Sequence, residues 1–236
     1  VSTQNESLNA RSSRRGVEAF SSVAKSYEDW FASPLGDYIA RKEMEALDRI
    51  FKGIEADSVV EVGAGTGYVA RHLTTLFGKV VAVEPSREMR EEGMRRTVDS
   101  HITWYDSIAE ALPFDDGSFA CAVFFTALEF VEDPERAIRE AIRVVRPGGW
   151  LVVGFLHALS PWVALYRRLG EQGEEPWCAA RFYTREDIER WVGSSAEASE
   201  AAVFLAPGAA EPYDAADAAG VRAGNAPALE ILRWRI

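Results

Sequence analysis

Three glycines, each two residues from the next, interrupt an apolar run in Val59-Val60-Glu61-Val62-Gly63-Ala64-Gly65-Thr66-Gly67-Tyr68. A helical pattern follows, and then a second apolar run, Val80 to Val83, ends in Glu84. A strand, a glycine turn, a helix and a second strand make a β-α-β unit, which commits the chain to an α/β sheet. Glycines let the turn backbone approach a ligand, and the helix start offers free N–H groups. An acid at the tip of the second strand suits ribose hydroxyls. Glycine turns also serve merely to join strand to helix, so the turn alone leaves a nucleoside ligand and a plain connection both open.

The rest of the chain continues the alternation. Apolar residues at helical spacing predict helices over 18–31 and 37–51, separated by Ser33-Pro34-Leu35-Gly36. Strands are expected at 59–62, 80–83, 102–104, 119–125 and 150–155, with helices at 68–77, 86–97 and from Asp133-Pro134 onward. Phe119 to Phe125 is wholly apolar, as in a parallel strand buried on both faces. Further helices are expected at 162–169 and 184–191, and a closing pair of strands at 202–205 and 229–236. Repeated β-α units give a doubly wound, mostly parallel sheet, with ligands at the C-terminal strand edge where strand order reverses. The tips at Gly63, Glu84, Glu110 and Thr126 converge on that edge.

Bulk composition narrows the partners. At 236 residues the chain can bury one full core. A formal charge of −11 repels phosphate backbones and anionic lipid, so neither nucleic acid nor a membrane is an expected partner. No apolar run reaches spanning length. Residues 1–15 lack an apolar segment and do not read as a secretion signal; a disordered start is expected there, despite Arg11, Arg14 and Arg15. Cys121 lies in an apolar strand pattern and reads as a buried thiol, which fits a reducing cytoplasm. The three histidines, His72, His101 and His157, show no paired spacing for a metal.

The motifs taken together resemble the class I S-adenosylmethionine-dependent methyltransferases, and in particular their small-molecule branch related to the ubiquinone/menaquinone methyltransferases. The resemblance spans 58–155. It rests on E-V-G-A-G-T-G-Y, on V-V-A-V-E-P-S, on A-E-A-L-P-F at Ala109 to Phe114, and on R-V-V-R-P-G-G-W at Arg143 to Trp150. It implies a seven-stranded, Rossmann-like sheet with an N-terminal helical lid, and one domain over 16–236. Within that domain 16–53 would be the lid, 58–155 the cofactor-binding core, and 156–236 an acceptor-side insert with the closing strands. It implies S-adenosylmethionine as cofactor, S-adenosylhomocysteine as product and a small-molecule acceptor. Glu61 and the turn of Gly63, Ala64, Gly65, Gly67 and Tyr68 would hold the methionine part, and Glu84 the ribose. Pro85, Ser86 and Met89 would border adenine, with Ala109 and Glu110 at the purine edge. Phe125 and Thr126 would flank the sulfonium, and Tyr27 would belong to the lid. Core packing accounts equally well for Met89, Tyr27 and Trp30.

The chain departs from the family pattern at two positions. Ile108 stands where the family often has Asp, and Phe130 where it often has His. Catalytic assignments therefore stay open, with His157 and Glu129 as candidate bases; a structural histidine and a solvated loop acid are the plainer readings. His157, Trp162, Tyr166, Trp177, Arg181 and Tyr183 are candidate acceptor-pocket liners, and their aromatic content points to an apolar or aromatic acceptor. Two other functions compete. A nicotinamide-dependent oxidoreductase would need Gly at position 68, where Tyr stands, and Glu61 would repel its pyrophosphate. A non-catalytic S-adenosylmethionine-binding protein is consistent with the same motifs.

Overall fold

Gly63, Gly65 and Gly67 hold left-handed backbone, with φ of 79°, 55° and 75°. The chain can therefore turn from strand β1 (Val59–Val62) into helix α2 (Tyr68–Phe77) within five residues. In this computed structural model, which describes residues 16–98 and 100–236, that turn sits at the centre of a seven-stranded sheet. The expectation of a disordered start at 1–15 lies outside the described residues.

The strands are β1, β2 (Val80–Val83), β3 (Ile102–Tyr105), β4 (Phe119–Phe125), β5 (Val145–Leu156), β6 (Ala198–Ala202) and β7 (Leu229–Arg235). Their order is β3-β2-β1-β4-β5-β7-β6, with β7 antiparallel to both neighbours and the other pairs parallel. The chain runs outward from β1 through β2 to β3, then returns to the other side of β1 as β4. Strand order thus reverses between β1 and β4, and their C-terminal ends part there to leave a crevice.

Helices cover both faces. Along β4, Cys121, Val123 and Phe125 pack into one core and Ala122 and Phe124 into the other. Phe119 would belong with Cys121 by alternation, but a register shift between the two turns it to the opposite core. Helix α3 (Arg87–Arg96) is capped by Ser86, whose side chain accepts from Met89 N–H. Helix α4 (Pro134–Val144) is capped by Asp133, with proline in its first turn. Helices α5 (Pro161–Glu171), α6 (Arg185–Val192) and α7 (Tyr213–Arg222) lie in the C-terminal part.

Four expectations are revised. Residues 18–31 do not form one helix: a helical segment at 16–21 gives way to turns and then a 3-10 helix, Tyr27–Ala32. Ser21 donates its hydroxyl to the Val17 carbonyl at the end of the helical segment, and Ser26 donates to that of Val23 in the turns. Ser33-Pro34-Leu35-Gly36 starts the next helix rather than separating two. Ser33 caps α1 (Pro34–Phe51), accepting from Gly36 N–H at 3.0 Å. Strand β5 begins at Val145, with 146–149 out of register: Val145 pairs with Phe119 and Trp150 with Cys121. The penultimate strand is Ala198–Ala202, not 202–205. Val203 takes a positive φ of 64°, and the Phe204 and Leu205 N–H groups donate to Asp217 instead of to a neighbouring strand.

Candidate active site

A cavity opens at the β1/β4 reversal. Its floor is the glycine turn. The Gly63 and Ala64 N–H groups donate to the Val83 carbonyl at 2.8 and 3.0 Å, tying the turn to the end of β2. A Cβ on Gly63 would lie 2.5 Å from the Ala127 side chain, so the residue is confined by packing as well as by φ. Gly67 faces elsewhere. Its Cβ would meet the Trp104 ring at 2.9 Å, and it does not line the cavity.

Glu61, on β1, is 2% exposed and its Oε2 has no hydrogen-bond partner. Burial raises its carboxyl well above the usual range, reinforced by Glu84 and opposed by Arg71. An orphaned carboxylate oxygen in a cavity wall is costly unless a donor or a cation arrives to meet it. Glu84, past the end of β2, accepts from Gly65 N–H at 2.9 Å and from Ser86 N–H at 2.7 Å. Burial pushes it up to about 7, against the pull of those two N–H groups. Pro85, Met89, Ile108, Ala109 and Glu110 continue the wall on this side. Ser86 is fully buried as the cap of α3 and stands behind the wall. At the end of β4, Thr126 holds a positive φ of 49°, uncommon for a residue with a Cβ, and donates its N–H to Gly154.

The N-terminal segment forms one wall of the cavity. Glu28 bridges to Arg71 at 2.9 Å and to Arg96 at 3.2 Å, and accepts from the Thr66 hydroxyl at 2.6 Å. Ser21 adds a 2.8 Å bond to Glu88 on α3. These contacts bring Tyr27, Phe31 and Phe20 into the wall. Every sequence-expected cofactor residue except Gly67 and Ser86 lines the cavity.

The sequence-expected acceptor residues are placed differently. None of His157, Trp162, Tyr166, Trp177, Arg181 and Tyr183 is among the described lining residues. Trp162 donates to the Leu205 carbonyl, Tyr166 stacks on Trp177 at 3.7 Å, and Arg181 donates to the Val131 and Glu132 carbonyls. His157 lies 3.7 Å from Glu230 and stacks on Phe155. Glu129 is fully buried rather than a solvated loop acid. It accepts from Leu156 N–H, keeps Oε2 without a partner, and is pushed up by burial to about 7. The sequence reading missed Glu43, on α1, which lines the cavity. Its sequence signal was an acid at helical spacing within the buried stripe of Ala40, Leu47 and Ile50.

A reversed α/β sheet whose crevice carries a glycine turn, an orphaned acid on its first strand and an acid after the second defines a nucleoside-cofactor protein. The comparisons narrow that class. The Methyltransferase domain family matches residues 60–153. An uncharacterized protein of Mycobacterium tuberculosis is 34% identical over 172 residues, 73% of this chain and 57% of that protein. The ubiquinone/menaquinone biosynthesis C-methyltransferase of Hahella chejuensis is 37% identical over 103 residues, 41% of each chain. A solved structure from Thermotoga maritima, described as an S-adenosylmethionine-dependent methyltransferase and possible histamine N-methyltransferase, is 26% identical. It superposes with a TM-score of 0.70 over 92% of this chain and 97% of its own. The chain belongs to the class I S-adenosylmethionine-dependent methyltransferase family. It spans only 57% of the length of the first curated relatives it matches.

The cofactor of this family is S-adenosylmethionine, and the cavity fits it. The orphaned Glu61 Oε2 matches an ammonium group. Glu84 has acceptor capacity toward ribose hydroxyls, and every charged residue among the described lining residues is an acid, which suits a cationic donor.

Proposed function

We propose that this chain transfers a methyl group from S-adenosylmethionine to a small-molecule acceptor. The observation that carries the reading is the partnerless Glu61 Oε2, buried in the wall of the same crevice that Glu84 lines. Glu61 and the turn of Gly63, Ala64 and Gly65 would take the methionine part, and Glu84 the ribose. Pro85, Met89, Ala109 and Glu110 would border adenine, and Phe125 and Thr126 would flank the reacting carbon.

When bound, the sulfonium supplies an already activated methyl group. The protein's work is then to align the acceptor, exclude water and receive a proton where the acceptor must lose one. The segment over 16–53 would act as lid, held by Glu28 on Arg71 and Arg96. Among the described residues no helix is long and apolar enough to cross a membrane. A buried, unpaired Cys121 supports a reducing cytoplasm as its compartment.

Titration calorimetry with S-adenosylmethionine, S-adenosylhomocysteine and NAD tests the cofactor reading. The two sulfur nucleosides should bind and NAD should not. Transfer of labelled methyl from the cofactor into a mixed metabolite extract tests the activity, and binding without any transfer would favour a non-catalytic role.

A further inference from the structure

Two acids lining the cavity, Glu43 and Glu132, have no part in the cofactor reading, and Glu43 is the one that faces the aromatic chain. Glu43 stands on the buried stripe of α1, and its carboxylate has neither a hydrogen-bond nor an ion-pair partner among the described residues. Five aromatic rings line the same cavity as a contiguous chain. Phe130 meets Phe20 edge-on at 4.6 Å, and Phe20 meets Tyr27 at 5.9 Å. Tyr27 meets Phe31 at 6.2 Å, and Phe31 stacks on Tyr68 at 4.5 Å. Glu43 acts electrostatically on both Tyr27 and Tyr68, at two points of this chain. The described lining residues include no Lys, Arg or His.

Aromatic faces attract cations, and a carboxylate among them completes a cage for a positive nitrogen. An anionic acceptor would meet only acids. Resting on the methyltransferase reading, we propose that Glu43 and these rings bind the acceptor as the ammonium form of a primary or secondary amine on an apolar or aromatic body, and that Glu43 takes its proton. An N–H proton moves from the ammonium to a Glu43 oxygen and frees the nitrogen lone pair. The N–C bond forms as the methyl C–S bond breaks, and that electron pair stays on sulfur. The products are the methylated ammonium and neutral S-adenosylhomocysteine, and the proton on Glu43 passes to solvent. Burial pushes the Glu43 carboxyl up to about 8, which makes it a stronger proton acceptor than an ordinary carboxylate. Tyr27, Tyr68 and Tyr166, the titratable groups coupled to it, are raised further from neutrality and remain phenols there.

The test uses protein saturated with S-adenosylhomocysteine, titrated calorimetrically with 2-phenylethylamine, 2-phenylethanol and 3-phenylpropionate. Wild type should bind the amine about tenfold more tightly than the alcohol and the carboxylate least. Glu43→Gln should abolish that preference while leaving affinity for S-adenosylhomocysteine unchanged, which also shows that the variant folds. Four results overturn the proposal and leave the cofactor reading standing: no amine binding, equal binding of amine and alcohol, tighter binding of the carboxylate, or an amine preference that survives Glu43→Gln. Failure of S-adenosylhomocysteine itself to bind overturns both.

Discussion

The two halves of the cavity are built by different means. The half proposed for the cofactor hangs on strand ends: Gly63 follows β1, Glu84 follows β2 and Thr126 follows β4, with backbone N–H groups binding the turn and the acid together. The other half is made of side chains from segments distant in sequence: Phe20, Phe31 and Glu43 from the N-terminal elements, and Phe130 from the short helix after β4. Backbone geometry restricts which residue types can stand in the first half. The second is constrained only by shape and polarity, so many sequences could build it. On the proposed function, chemistry common to the family falls in the first and recognition of one acceptor in the second.

The largest effect expected from breaking this contrast is at Glu61. Glu61→Gln keeps the side chain's shape and removes its charge. It should cost about 2 kcal/mol of binding, roughly thirtyfold in Kd for S-adenosylhomocysteine. The same change should raise the thermal midpoint of the ligand-free protein, because a partnerless buried carboxyl is lost. Calorimetry and a melting curve on one preparation read both. Weakened affinity with lowered stability would make Glu61 a structural residue.

The N-terminal segment proposed as lid gives a smaller effect. Glu28→Gln weakens the contacts to Arg71, Arg96 and the Thr66 hydroxyl, which are partly solvent-screened. Release of S-adenosylhomocysteine, followed by stopped flow, should quicken about fivefold, with little change in the binding rate. An unchanged release rate would separate the lid from cofactor retention.

A different kind of effect is a slope with pH. Burial raises Glu43 to about 8, and Glu84 and Glu129 to about 7, all above the value near 4.3 expected in an unfolded chain. Between those limits the folded chain holds protons that the unfolded chain releases. The stability these groups contribute is complete below the unfolded value and is lost as pH rises through 7 and 8. The ligand-free melting temperature should therefore fall between about pH 6 and pH 9. Saturation with S-adenosylhomocysteine should flatten the slope as Glu61 and Glu84 gain partners. A ligand-free midpoint that climbs over that range would contradict the burial of these acids.

The contrast also explains what the sequence could reveal. Strands β1, β2 and β4 and helix α2 are legible to the residue, because apolar runs, glycines and flanking caps mark both ends. Glu61 and Glu84 are legible for the same reason, as acids at fixed offsets from those marks. Ala198–Ala202 is not: the strand reads Ala-Ser-Glu-Ala-Ala, with low intrinsic preference for extended chain, and pairing with β7 holds it in the sheet. The aromatic residues after β5 draw attention by composition, yet Tyr166 and Trp177 pack on each other rather than into the cavity. Glu43 was overlooked because a single acid in an amphipathic helix reads as surface until neighbouring elements show which face is covered.

The central claim concerns one crevice, and a calorimetric competition addresses it most directly. With S-adenosylhomocysteine titrated into wild-type protein in the presence of excess NAD, the account predicts single-site binding with an affinity that NAD leaves untouched. A silent titration, or displacement of the sulfur nucleoside by NAD, would contradict it.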